Sequence, residues 1–539
     1  MAKRLSHLRW LAGMLSFLAF APEPARAQSM PDAAVKQFYE DGLKRNGVVG
    51  SGLVLIRNGE VVGSDYYGYA RIDTQTPVTA DTAFHWASIT KTFTAIAVLQ
   101  LSEQGLVDLD AAAAGYLRSI RLIPARPGFQ PVTVRHLLTH TAGIGYWRRF
   151  SDLLQPGVGA GARARRSGAV PLVAYYHRGL PVEVEPGAKW VYSNHGFAVL
   201  GQIVEDVSGQ PLGRYLREHI FVPLGMQHTD LVPSGRIRPR LATGYVLGSA
   251  GLKPVAYREI PVPGAGGVFC SAADLARYVA ALLRMSAGEY GSVLKPETLV
   301  SMFSPHFQPD PRLPGMGLGF QLGEEHGHRT AGHTGIVSGF LSAMTVAPDD
   351  GIGVFALGNT GGLTGRGAPA PLAPALLRHA LGLADPATRT GIPPRPDTWN
   401  GLCGWYSPDP GPVTNLFTRP LFGAGVEVTV HRGQLMLKPL TPVPAMRRGM
   451  PLHPGDPGDP QVFRAELPEF GISIPLVFSG GPAPGARASR LLLDLMSFRR
   501  RPDARNPRRW VTGVAAAGAV TVALRRRRCT RSTGAQPGS

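Results

Sequence analysis

The sequence predicts an α+β protein: an antiparallel sheet with flanking helices and a helical subdomain, followed by a small C-terminal all-β domain. Three observations predict it. Gly52-Leu53-Val54-Leu55-Ile56 and the run Val61 to Tyr69 are β-rich and flank Asn58-Gly59, a strong hairpin signal. Strand-like runs then return only from Gly317, with helical patterns between, which is not the βαβ alternation of a parallel sheet. Beyond residue 397 the runs are strand-like with Pro and Gly breaks.

In order along the chain, residues 1–27 read as a secretory signal. Lys3, Arg4 and Arg9 precede the short apolar run Trp10 to Ala21, and Ala25-Arg26-Ala27 has the form of a cleavage site, so a mature chain is expected to start at Gln28. A helix is expected over Asp32 to Arg45. Ser88 to Gln104 carries apolar residues at helical spacing, with Gly105 just past its end. Further helical segments are Val134 to Leu138, Gly196 to Val207, Leu212 to Ile220 and Ala272 to Met285. The late strands are Gly317 to Leu322, His328 to Gly332, Phe340 to Ala347 and Gly351 to Leu357, and the helix Pro374 to Leu383 closes this body of residues 28–384. Arg163, Arg165 and Arg166 mark a surface insertion over 157–167.

Residues 385–397 read as a linker, and 398–500 as the small β domain, with strands at Val426 to His431, Gln434 to Leu440, Gln461 to Ala465 and Ile472 to Phe478. Residues 501–539 form a basic tail. Its apolar stretch Trp510 to Leu524 precedes four arginines, Arg525 to Arg528, and reads either as a short membrane anchor or as part of an unstructured tail.

The formal charge of +19 invites a nucleic-acid reading. Most of the excess lies in residues 1–27 and 499–539, leaving a mildly basic body, so that reading is set aside. The three cysteines, Cys270, Cys403 and Cys529, are too few for a disulfide framework and lack metal-ligand spacing. His136 and His140 are spaced i,i+4, as in metal-binding helices, and only the family resemblance given below implies a structural role for them.

Chemistry enters at Ser88-Ile89-Thr90-Lys91. A serine hydroxyl is a weak nucleophile until a base takes its proton. Lys91 at i+3 shares a helical face with Ser88, and burial would lower its pKa toward that of a base. The pattern alone is common. Tyr192-Ser193-Asn194 adds a phenol that can relay a proton and an amide that can orient the lysine and hold a carbonyl. His333-Thr334-Gly335 lies on an expected late strand. There Gly335 admits close backbone approach, and the N–H of Ile336 can join that of Ser88 as an oxyanion hole.

With these three motifs in this order, the chain resembles the serine β-lactamase and penicillin-binding superfamily. It is most similar to the class C-like branch, which also holds D-alanyl-D-alanine carboxypeptidases, D-aminopeptidases and esterases. The segments His136–Ile144, Phe221–Met226 and Gly266–Val268 are similar to the same family, over roughly residues 35–385. The resemblance implies a β-lactamase/transpeptidase-like fold and an acyl-enzyme on Ser88, with Lys91 as base and Tyr192 as proton shuttle. It implies that Asn194, His333, Thr334 and Gly335 bind substrate, and it implies no metal and no cofactor. The substrate would be a small molecule or peptide: an ester, a D-amino-acid peptide or a β-lactam. His333 departs from the lysine usual in class C β-lactamases, and a neutral imidazole holds a carboxylate less firmly than an ammonium. Esterase or D-amino-acid peptidase activity is therefore expected ahead of β-lactam hydrolysis, in an exported, periplasmic or secreted protein. The alternative is a non-catalytic envelope binding or scaffold protein. An α/β-hydrolase is excluded, since no G-x-S-x-G elbow is present.

Overall fold

The computed structural model describes residues 33–508 apart from 146–171, 249–250, 258–259, 289–292, 362–371, 384–390, 410–421, 442–443, 468–471 and 481–486. The expected signal segment, the insertion, the first part of the linker and the apolar tail stretch lie outside the described residues. Among those described, no helix is long and apolar enough to cross a membrane.

Seven described strands make one antiparallel sheet: β1 (Gly50–Arg57), β2 (Glu60–Arg71), β3 (Thr76–Pro77), β4 (Gln321–Glu325), β5 (His328–Val337), β6 (Phe340–Ala347) and β7 (Ile352–Gly358). Their spatial order is β4-β5-β6-β7-β1-β2-β3, so the first hairpin and the late strands meet where β1 pairs β7. The β1–β2 turn uses Asn58 and Gly59 at φ +49° and +77°, the left-handed pair that an Asn-Gly hairpin needs.

Both faces of β1 and β7 are buried, and the pleat divides them. Leu53, Leu55, Ile352, Val354 and Ala356 pack beneath α1 (Ala33–Arg45) and the closing helix Leu372–Ala380. Val54, Ile56, Phe355 and Leu357 join the helical region on the other face. That region is built around α2 (Thr90–Glu103), α3 (Asn194–Ser208) and α4 (Ala272–Ser286). Thr90 to Leu101 of α2 are all buried, polar residues included. Thr92 and Thr94 therefore bond to nearby carbonyls, those of Ile89 and Gly264.

The first late strand is displaced from its expected place. Gly317 to Phe320 form a loop, and the strand begins at Gln321. Leu318 and Phe320 are 1% and 0% exposed in the core, and Gly319 at φ +80° breaks the extension between them. Their apolar spacing reflects tertiary burial rather than a strand.

The C-terminal region closes into an eight-stranded barrel of β8 (Gly404–Pro408), β9 (Val426–His431), β10 (Gln434–Pro439), β11 (Met450–Pro454), β12 (Val462–Leu467), β13 (Ile472–Ser479), β14 (Arg490–Leu493) and β15 (Met496–Arg501). Closure removes the edges that a small sheet would expose. Val426, Val428, Leu435, Leu437, Leu476, Phe478, Leu491 and Leu493 fill its core. Arg499, Arg500 and Arg501, counted with the basic terminus on sequence grounds, are strand residues. The barrel's contacts continue to Arg508, which donates to the Pro439 carbonyl at 2.7 Å. Barrel and body meet where Leu313 inserts against Val477 and Leu492, beside an Arg312–Asp459 ion pair of 2.7 Å.

Candidate active site

The turn that carries Ser88 is held by backbone bonds. The strand Ala83–His85 pairs with Phe269–Ser271, and the Trp86 N–H extends that pairing to the Val268 carbonyl at 3.0 Å. Ala87 then takes φ +49°, a conformation disfavoured for a residue with a Cβ. It reverses the chain into a 3₁₀ turn, Ala87–Ile89, and α2 follows from Thr90. Ser88 thus stands, half-buried, at the head of a buried helix. β5 runs directly alongside this turn. A Cβ at Gly335 would fall on the Trp86 carbonyl oxygen, so only glycine fits there.

Lys91 is fully buried. Its Nζ lies 3.0 Å from Ser88 Oγ, 2.8 Å from Asn194 Oδ1 and 2.7 Å from the Ala265 carbonyl oxygen. Among the described residues no carboxylate pairs with it, and burial pushes its pKa well below the ordinary lysine value. Two of its three neighbours, the Asn194 and Ala265 oxygens, can only accept. A neutral amine gives its two hydrogens to those two and turns its lone pair toward Ser88. The Tyr192 hydroxyl donates to Ser88 Oγ from 2.8 Å. Ser193 caps α3 by accepting the Gly196 N–H, which sets Tyr192 and Asn194 on either side of the helix start.

His333 is 3% exposed, with its ring centroid 6.3 Å from that of Tyr192. Its Nδ1 donates to the Thr334 carbonyl at 2.7 Å, and burial and the nearby Lys91 push its pKa down to about 3. The structure thus brings Ser88, Lys91, Tyr192, Asn194, His333 and the Gly335 backbone together. The side chain of Thr334 is exposed, and that of Ile336 is 49% exposed. β4 pairs with β5 only as far as Gly332, so among the described residues no strand pairs with β5 on that side over residues 333–337.

Two contributors are not marked as site residues by the sequence, although the second lies in the family-like segment His136–Ile144. One is the Ala265 carbonyl, a backbone atom far along the chain from Lys91. The other is His140, whose ring packs on Tyr192 with centroids 4.5 Å apart and whose Nδ1 accepts the Ser193 N–H at 3.1 Å. His136, by contrast, closes a capping box with Thr133. A separate apolar hollow of about 200 Å³ is lined by His85, Leu231, Tyr257, Ile260 and Phe269 among others, and not by Ser88, Lys91, Tyr192 or His333.

With this geometry in place, comparison with known proteins is decisive about ancestry. The Beta-lactamase family model matches residues 35–397. The chain belongs to the beta-lactamase family. Within this family of serine hydrolases it is 32% identical to Esterase EstB of Burkholderia gladioli over 295 residues, 52% of this chain and 71% of that one. It spans only 60% of a Bacillus subtilis (strain 168) relative that is 29% identical. Among solved structures, an octameric penicillin-binding protein homologue from Pyrococcus abyssi superposes with a TM-score of 0.56 at 24% identity, covering 87% of this chain and 100% of its own. That share is more than residues 1–397 contain, so the likeness of fold extends into the barrel. A D-stereospecific amidohydrolase from Streptomyces sp. gives a TM-score of 0.51 at 25% identity over 61% of this beta-lactamase-family chain and 95% of its own.

Proposed function

We propose that this beta-lactamase-family chain hydrolyses an ester or amide through an acyl-enzyme on Ser88, as a carboxylesterase or D-amino-acid peptidase. The observation that carries the reading is the surrounding of Lys91: a buried amine with two obligate acceptors and one hydroxyl. The neutral amine takes the Ser88 proton as Oγ attacks the carbonyl carbon. The oxyanion forms toward the N–H groups of Ser88 and Ile336. Tyr192 gives its phenolic proton to the departing alkoxide or amine and regains one from the Lys91 ammonium. Water then attacks the ester on Ser88, its proton passes to the same pair, and the acid leaves as Ser88 recovers its hydroxyl. Kinship with an esterase, and structural likeness to an amidohydrolase, support both substrate classes. Export before action is part of the proposal and rests on the N-terminal stretch alone.

The test is covalent. A p-nitrophenyl ester should give a burst of nitrophenol, and a fluorescent penicillin should label the protein. Ser88→Ala should abolish both. Equal labelling of the two proteins would overturn the assignment.

A further inference from the structure

The apolar hollow of about 200 Å³ shares its walls with the two chain segments that hold the proposed catalytic pair. His85, in the strand leading into the Ser88 turn, forms one part of the wall, and Pro263 and Gly267 form another. Ala265 lies between those two residues, and its carbonyl accepts from Lys91 Nζ at 2.7 Å. His85 Nε2 donates to the next carbonyl, that of Gly266, at 2.7 Å and so ties the two segments together. Gly266 itself is wedged. A Cβ there would stand 3.2 Å from Ile260 Cδ1, in the wall of the hollow, and 3.6 Å from the carbonyl carbon of Ala87, in the Ser88 turn.

The lining fixes the kind of molecule that fits. Leu231, Val232, Ile260 and Pro263 give apolar surface. Phe269 carries two more rings of the wall: His85 stacks on it with centroids 4.2 Å apart, and Tyr257 meets it edge-on at 5.4 Å. His85 is 6% exposed, and burial pushes its pKa down to about 4, so it presents an uncharged ring at neutral pH. Apolar cavities of about 150 Å³ stay dry and take up benzene, because water finds too few partners in them. Aromatic walls favour a ring that can stack on them or meet them edge-on. Val232 and Tyr257 are 43% and 44% exposed, so the hollow is reached from the surface.

We propose that the hollow is a second binding site, for an uncharged aromatic molecule of benzene to indole size, and that its occupant alters turnover through the Pro263–Gly267 turn. A ring packed against Pro263 and Gly267 bears on the turn that presents the Ala265 carbonyl, and with it on the seat of Lys91. The binding site stands independently of the hydrolase reading; the effect on turnover rests on that reading.

The probe is indole, titrated calorimetrically into the full chain and added to p-nitrophenyl acetate assays. Indole should bind at a single site. It should change kcat at least about twofold and leave KM within that factor, because it acts on the base and not on the substrate. Val232→Trp plugs the mouth at a position exposed enough to take the larger ring. It should weaken indole at least about tenfold and abolish its effect on kcat. Val232→Asp puts a charge beside the apolar space and should weaken indole too, and it decides if the tryptophan variant does not fold. No binding of indole overturns the proposal. So does binding that neither variant weakens, since the ring is then elsewhere. A rise in KM with kcat unchanged marks competition at Ser88 and overturns it, as does binding in the hollow with unchanged kinetics. Absence of any nitrophenol burst from wild-type protein sinks the hydrolase reading instead, and indole binding then decides the site by itself.

Discussion

A basic side chain lies over an aromatic ring in each half of the molecule. In the barrel, the Arg500 guanidinium stands 5.9 Å from the Tyr406 ring centre and donates to the carbonyls of Gly401, Ala488 and Cys403. In the body, Lys91 Nζ stands 5.0 Å from the Tyr192 ring centre and also has three oxygen neighbours. The contact geometry is alike, but the chemistry differs. A guanidinium keeps its proton at any pH the fold survives, so Arg500 can only brace the barrel's closing strands. An amine gives up its proton when water is withdrawn, and one of the Lys91 neighbours is a hydroxyl. Burial turns the same kind of contact into a base in one region and a brace in the other.

Exchanging the two residue types breaks this comparison with the largest effect. Lys91→Arg puts a permanent cation where the neutral base stands, so kcat should fall by about 10³-fold. Arg500→Lys should leave kcat unchanged and cost the barrel about 1–2 kcal/mol, read by denaturant unfolding. In the wild type, the acting form of Lys91 is the neutral one. Turnover should be present above its folded pKa, which lies well below 10.5, and be lost as pH falls through it. A rate that still climbs steeply near the ordinary lysine value would show that burial does not tune this amine.

Next in size is Gly335→Val. Its Cβ has no room against the Trp86 carbonyl, and the strand must move away from the turn that holds Ser88. A displacement of about 1 Å costs on the order of 10²-fold in kcat. Unfolding of the barrel, followed by hydrogen exchange, should not change. Loss of protection in both regions would show that β5 supports the whole fold rather than the site.

How much of this was legible follows from where each signal resides. The first hairpin is local, and Asn58-Gly59 announces the two left-handed residues it needs. Ser88 and Lys91 share one helix face, so their spacing is readable. Tyr192 and Asn194 are legible only as a motif, because nothing in their residue types says that they meet Ser88. The Ala265 carbonyl is invisible in sequence, since every residue has one. His140 reads as ordinary core, and only the fold puts its ring on Tyr192. In the barrel, Val426-Glu427-Val428-Thr429-Val430-His431 alternates apolar with polar, whereas in β13 Leu476, Val477 and Phe478 are buried side by side. Met450–Pro454 is short and carries prolines, and Met496–Arg501 ends in three arginines that resemble a tail. Their place comes from closure, a property of all eight strands together.

Acid should separate the two regions. His85 and His333 are held neutral by burial, with pKa values pushed down to about 4 and about 3. The folded body therefore binds fewer protons than the unfolded chain between those values and 6.5. Its stability falls as pH drops through that window, by about 3 kcal/mol per imidazole near pH 4. Asp494, in the β14–β15 turn at φ +50°, has its carboxyl pushed up to about 6 by burial. The folded barrel binds the extra proton between 3.8 and 6, so this group adds stability as pH falls there. Hydrogen exchange at pH 7 and pH 4.5 should show the body loosening while the barrel holds. Parallel loosening would mean that the two unfold as one unit.

The smallest effect should come from the junction. The Arg312–Asp459 pair is 31% exposed on both sides, and Arg312 keeps a second carboxylate, Asp310, at 2.8 Å. Water screens such a pair, so Asp459→Asn should cost less than about 1 kcal/mol. Leu313 is 2% exposed and is the body's apolar contact with Val477 and Leu492. Leu313→Ala removes buried contacts and leaves a void, so it should cost about 2 kcal/mol or more. Denaturant midpoints of the two variants rank the contributions. If the charge change proves the larger, the barrel is docked by electrostatics, and added salt should then loosen it. If Leu313→Ala is larger and salt has no effect, packing joins the barrel to the body, as packing also fills the barrel.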